Sequence, residues 1–112
     1  MTLDQATIAA LAARLEEAEH KRAPLTKITD EYPHLDWDDA YAIQEAIRAS
    51  KIKAGVRIAG LKCGLTSQAK MKQMNVTEPV FGFLCDYGAY PDGGEVPFDK
   101  FIAPRIEAEV AF

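Results

Sequence analysis

AGVRIAGLKCGLTS, residues 54–67, is where the texture of this chain changes. Before Gly55 the apolar residues repeat at helical spacing. From Val56 the run "VRIAGLKCGL" is short, apolar and glycine-punctuated, which reads as a strand. A chain that turns from helical to strand periodicity at this point is of the α+β class.

Working upstream, Ile8, Leu11, Ala12, Leu15 and Ala18 form one face of a helix from about Asp4 to Arg22. Glu16, Glu17, Glu19 and Lys21 fall on its remaining faces, and Asp4 is the N-cap candidate. "APLTKITDEYPHL" (residues 23–35) breaks the pattern and reads as a connector. Asp36, with Asp39 three places on, forms a short variant of the capping box. Ala40, Ile43 and Ile47 make the inward stripe of a second helix, with Trp37 and Tyr41 at its start. Gly55 closes it as a C′ glycine. Gln44 and Glu45 read as its solvated face.

Working downstream, Thr66 or Ser67 can cap a short helix over "TSQAKMKQM" (66–74), whose Met71 and Met74 read as core packing. "EPVFGFLCD" (78–86) is a second strand-like run. Pro91, Asp92, Gly93 and Gly94 carry strong turn chemistry before a further extended piece. "PRIEAEVAF" (104–112) reads as a strand with no turn, cap or polar tail after it, so its pairing partners are expected beyond Phe112. The expected organisation is a helical region over 1–54 and the incomplete beginning of a β-rich domain over 55–112. No internal repeat or low-complexity tract is visible.

Bulk properties narrow the function. The net charge is −4 and there is no dense Lys/Arg block, which argues against nucleic acid or an anionic membrane surface as partner. No apolar run approaches membrane-spanning length, and the acidic, helix-periodic N-terminus lacks the pattern of a secretory signal. Cys63 and Cys85 have no CxxC spacing, so they read as reduced, mostly buried thiols of a cytoplasmic protein.

Three places carry possible chemistry. Glu107 and Glu109 sit two apart, so on a strand they would share one face. Two neighbouring carboxylates repel unless a proton or a cation lies between them. Oxygen-only ligation suits a hard ion such as Mg²⁺ or Mn²⁺; the competing reading is one solvated face of an edge strand. Lys62, between Leu61 and Cys63 with Gly60 and Gly64 nearby, could hold a substrate carboxylate or move a proton. It could equally point to water. Thr66 and Ser67 could make an anion-binding corner at the start of the next helix, or serve as an ordinary cap. His20 and His34 have no partner at metal or triad spacing and read as surface residues.

These stretches, "ITDEYPHLDWDDAYAIQ" (28–44), "GLKCGLTSQAKMKQM" (60–74), "PVFGFLCDY" (79–87), "PDGG" (91–94) and "PRIEAEVAF", together resemble a known family over essentially the whole chain. It is the 2-oxo-3-hexenedioate (4-oxalocrotonate) decarboxylases and their sisters, the 2-hydroxypenta-2,4-dienoate hydratases, of the fumarylacetoacetate hydrolase superfamily. The segments 60–74 and 86–94 are closer to the decarboxylase branch. The resemblance implies a helical N-terminal portion followed by the start of a β-rich catalytic domain of that superfamily, truncated here. It implies that Glu107 and Glu109 are metal ligands for Mg²⁺ or Mn²⁺. Lys62 would be the active-site lysine, and Thr66 and Ser67 would border the substrate pocket. A third acidic ligand would lie beyond Phe112, so the fragment alone would be inactive. The substrate would be a 2-oxo diacid. The partners would be further copies of the chain, in a homo-oligomer, and the sister hydratase. The other readings are the hydratase reaction and a non-catalytic α/β binding module with Glu107 and Glu109 on a solvated face.

Overall fold

The computed structural model describes residues 1–112. Helix α1 spans Gln5–Lys21 and begins at Asp4, whose carboxylate accepts from the Thr7 N–H at 2.7 Å. Its end is a left-handed Arg22 with φ 52°, which turns the chain away from the helix axis. The single-turn helix α2 spans Ile28–Glu31, and α3 spans Trp37–Lys53. Strand β1 covers Ile58–Gly64, helix α4 Gln68–Gln73 and strand β2 Val80–Cys85. Short 3₁₀ turns follow at Asp86–Gly88 and Phe98–Lys100.

The core belongs to the helices. Ile8, Leu11 and Ala12 of α1 pack with Ile43 of α3, flanked by Leu15, Ala46 and Ile47. The sequence stripe therefore faces inward as its period requires. Ile28, Tyr32 and Leu35 also pack against this core, which explains why part of the expected connector forms a helical turn. Helix α3 ends in a Schellman arrangement. Val56 N–H donates to the Lys51 carbonyl at 3.0 Å and Gly55 N–H to that of Ile52 at 3.0 Å, with Gly55 at φ 94°.

At the other end of α3 lies Asp39, the one fully buried charged side chain. The capping box forms both ways: Asp39 N–H donates to Asp36 Oδ1 at 2.8 Å, and Asp36 N–H to Asp39 Oδ2 at 3.1 Å. The Asp39 carboxylate also accepts from the Thr2 hydroxyl at 2.6 Å, the Thr2 N–H at 2.9 Å and the Leu3 N–H at 2.9 Å. Burial alone would raise its pKa. The donors from Thr2, Leu3 and Asp36 outweigh that and hold it well below the usual carboxylate range. One cap thus binds the segment before α1 to the start of α3.

Strands β1 and β2 form a two-stranded antiparallel sheet. Lys62 pairs with Gly82, Leu61 with Phe83 and Cys63 with Phe81, with an irregularity between Ile58 and Gly60. The outer edge of β2 is covered at Phe81, whose N–H donates to the Tyr41 hydroxyl of α3 at 3.2 Å. The Pro91–Gly94 turn closes as its residues dictate, with Gly94 N–H on the Pro91 carbonyl at 2.9 Å and Gly93 at φ 74°.

Several expectations are corrected. Residues 104–112 join no ladder, because no strand lies beside them; Ile106, Val110 and Phe112 are fully or largely exposed. The piece after the turn is partly 3₁₀ at Phe98–Lys100 rather than extended. Met74 is 58% exposed, since it lies past the last turn of α4, while Met71 is half-buried. Cys63 is exposed and Cys85 half-buried, because Cys63 lies on the outward face of the sheet with Leu61. Gln44 is half-buried rather than solvated, since it lies above Gly82. The surface positions of His20 and His34 match the expectation.

Candidate active site

The register of the sheet places Lys62 among glycines. Directly paired residues share a face, as do residues two apart on one strand. Gly60 and Gly64 therefore lie on the Lys62 face along β1, and Gly82 lies opposite it. Glycine thus stands directly beside and opposite the lysine, while Val80 and Leu84, paired with Gly64 and Gly60, are the diagonal side chains of that face. The other face carries Leu61, Cys63, Phe81 and Phe83, with Leu61 83% exposed.

The Lys62 ammonium donates to Oε2 of Glu109, forming an ion pair across 47 positions of sequence. Both side chains are about half exposed, at 48% and 50%. The pairing is made by Glu109 and not by Glu107, and both glutamates are exposed. The two carboxylates are an oxygen donor set, which suits a hard divalent ion. No group of three or more His, Cys, Asp or Glu side chains gathers at any one place in this chain, so the pair is at most part of a coordination shell. What fits a cation here is the oxygen chemistry of the donors, although Glu109 already holds the Lys62 ammonium.

Of the other expected residues, Ser67 is the N-cap of α4, accepting from the Lys70 N–H at 3.1 Å. Thr66 is exposed beside it. The turn that delivers both contains Leu65 at φ 56°, a left-handed conformation uncommon for a branched side chain. The backbone thus bends sharply between the Lys62 strand and this corner. The structure makes no direct contact between Lys62 and Thr66 or Ser67.

A second polar cluster escaped the sequence reading. Lys51 of α3 donates to Glu19 Oε2 of α1 at 2.7 Å and to the Tyr87 hydroxyl at 2.9 Å, and Tyr87 donates to Glu19 Oε1 at 2.8 Å. Lys51 is only 13% exposed. Burial pulls its pKa down, but the bonds to Glu19 and Tyr87 win and carry it above the usual lysine range. Burial raises the Tyr87 phenol to about 12, with Glu19 adding to the rise against Lys51. Glu19 ends below its ordinary value despite burial, through Lys51 and Tyr87. The partners are 32 to 68 positions apart, so no local pattern signals them. The triad ties both long helices to the turn after β2.

Concavity does not follow the chemistry. One groove, about 1900 Å³, runs between the end of α1 and residues 100–104 and includes neither Lys62 nor Glu107 and Glu109. A second, about 790 Å³, lies between α3 and β2 along Gln44, Lys51, Gly82 and Tyr87. The assignment of the site therefore rests on the residues.

An α+β chain that leads a helical pair into a glycine-flanked lysine strand and an acidic terminal segment has close counterparts among known enzymes. A 4-oxalocrotonate decarboxylase of Pseudomonas putida is 49% identical over 110 residues, covering 98% of this chain. A 2-oxo-hept-4-ene-1,7-dioate hydratase of Escherichia coli is 40% identical over 109 residues, covering 97% of this chain. Among solved structures, 4-oxalocrotonate decarboxylase from Pseudomonas putida G7 complexed with calcium and acetate matches with a TM-score of 0.88 at 46% identity, over 90% of this chain and 39% of that one. The same enzyme complexed with magnesium and adipate matches with a TM-score of 0.75 at 45% identity, over 77% of this chain and 33% of that one. No protein-family model matches. The chain spans about 42% of the length of the decarboxylase and 41% of that of the hydratase. It belongs to the family of 4-oxalocrotonate decarboxylases and their sister hydratases.

Proposed function

We propose that the complete protein is a divalent-metal-dependent carboxy-lyase. It would convert 2-oxo-3-hexenedioate (4-oxalocrotonate) to CO₂ and 2-oxopent-4-enoate, or its enol 2-hydroxypenta-2,4-dienoate, in the meta-cleavage degradation of aromatic compounds. The observation that carries this reading is the meeting of Lys62 and Glu109, which brings the expected lysine and one of the expected ligands to one place. It is supported by identity to a decarboxylase above that to a hydratase, 49% against 40%. A related decarboxylase binds magnesium together with adipate, a six-carbon diacid like the proposed substrate.

In this reading Glu107 and Glu109 hold Mg²⁺ or Mn²⁺, completed by a ligand beyond residue 112. The ion supplies Lewis acidity toward the 2-oxo acid end of the substrate, where negative charge develops as the far carboxylate leaves. Lys62 reaches from its glycine-flanked position toward an anionic group of the substrate and delivers or steers the proton that ends the reaction. Thr66 and Ser67 border the bound acid. The helical region over 1–54 supports the catalytic domain that begins at 55. The protein would work in the cytoplasm, as a homo-oligomer and in association with the sister hydratase. Residues 1–112 would be inactive alone.

The hydratase relatives support a second reading, in which the same groups serve addition of water to a dienoate. Incubating the complete protein with the diacid and measuring CO₂ decides between them. Stoichiometric CO₂ is expected, and hydration without CO₂ would reject decarboxylation. Titration of Mg²⁺ into the metal-stripped protein tests the ligands. Affinity is expected to fall by about 100-fold or more in Glu107→Gln or Glu109→Gln, since losing a ligand should cost at least what losing an outer-shell partner does; unchanged affinity in both would favour a binding module.

A further inference from the structure

The same glutamate that is read as a metal ligand already holds a cation, the Lys62 ammonium. A carboxylate oxygen engaged by an ammonium is not available to a metal ion at the same point. A divalent ion beside Glu109 would also repel the ammonium next to it. The pair is half exposed, so opening it is cheap, and a surface pair of this kind is held by little net energy. The glycines at 60, 64 and 82 remove the side chains directly beside and opposite the lysine stem, leaving Val80 and Leu84 as its diagonal neighbours on that face.

We propose that Lys62 and the divalent cation compete for Glu109, so that metal loading releases the Lys62 ammonium toward the anionic end of the substrate. The consequence is an order of events. Without metal, Lys62 is engaged by Glu109 and offers its charge to an acid only when that weak pair opens. With metal, the lysine is displaced from its partner at the moment the coordinating ion is in place. Glu109 thus acts as a shared anion that shifts the lysine toward the substrate when the site is loaded. This inference rests on the reading of Glu107 and Glu109 as ligands.

The test uses the complete protein, stripped of metal, with MgCl₂ alone as probe. Lys62→Met keeps the stem and removes the charge, and is expected to bind Mg²⁺ about tenfold more tightly. Lys62→Arg keeps a cation with a forked grip on carboxylates and is expected to bind Mg²⁺ no more tightly than the unaltered protein. In parallel, acylation of the Lys62 amine by a small reagent, read by peptide mass spectrometry, should quicken several-fold on adding Mg²⁺. If the two glutamine variants weaken Mg²⁺ binding while Lys62→Met does not tighten it and acylation ignores the metal, the competition is overturned and the metal site stands. If the glutamine variants leave Mg²⁺ affinity unchanged, the metal reading fails and the competition falls with it.

Discussion

Lys62 of β1 stands directly across the sheet from Gly82 of β2, so its paired residue on the neighbouring strand has no side chain. A Cβ at Gly82 would meet Gln44 Oε1 at 3.7 Å, an ordinary contact, so alanine fits there. A branched residue would project over the lysine stem. Gly82→Val is expected to lower kcat/KM by at least about tenfold while Gly82→Ala stays near the unaltered value. Steady-state kinetics on the complete protein, with Mg²⁺ affinity as control, checks it. Equal rates for both variants would show that the glycine-lined face has no part in turnover.

Ser67 offers a way to separate capping from recognition. Aspartate caps a helix about as well as serine, but adds a negative charge. Ser67→Asp should therefore keep the thermal midpoint, yet raise KM for a diacid by roughly tenfold through repulsion at the corner. An unchanged KM would leave Ser67 as a cap alone.

The buried Asp39 carboxylate makes a prediction about acid. Its folded-state pKa is depressed by the donors from Thr2, Leu3 and Asp36, against the opposing pull of burial. The stability it contributes is fully present above about pH 4, the ordinary carboxylate value, and is lost as pH falls toward the folded-state value. Asp39→Asn should lower the thermal midpoint by several degrees at pH 7 and flatten its fall below about pH 4. Parallel midpoint-against-pH curves for the two proteins would contradict the assignment.

Tyr87 reports on the joint between helices and sheet. Tyr87→Phe removes the hydroxyl that bridges Lys51 and Glu19 but keeps the ring. Unfolding free energy should fall by about 1 kcal/mol, less than is usual for a bond to charged groups because the tyrosine is half exposed. Lys51→Met should cost more, since it leaves Glu19 without its cation. Denaturant titration of each variant measures both.

The sequence made the periodic parts plain and hid the long-range ones. Ile8, Leu11, Ala12 and Ile43 announced themselves by spacing, and the caps at Asp4 and Asp36 by residue type, because both signals are local. The α2 turn was missed because Ile28, Tyr32 and Leu35 owe their packing to α1 and α3, not to a period of their own. The strand expected over 104–112 needs a neighbour to exist, and alternation within one segment cannot supply it. At the site, residue type singled out Lys62, Glu107 and Glu109, but only the fold could pair Lys62 with Glu109. The Lys51–Glu19–Tyr87 cluster was illegible for the same reason. Asp39 was visible as a cap, yet nothing in the pattern foretold its grip on Thr2 and Leu3.

The glycines that clear space around Lys62 also loosen the strand that carries it. Glycine gives up more freedom than any other residue on being ordered, and within residues 1–112 β1 pairs with β2 alone. Backbone amides of β1 should therefore exchange with deuterated water well before those of α1 and α3, whose interface holds the core. The lysine read as the chemical centre would ride on the first segment of this chain to breathe.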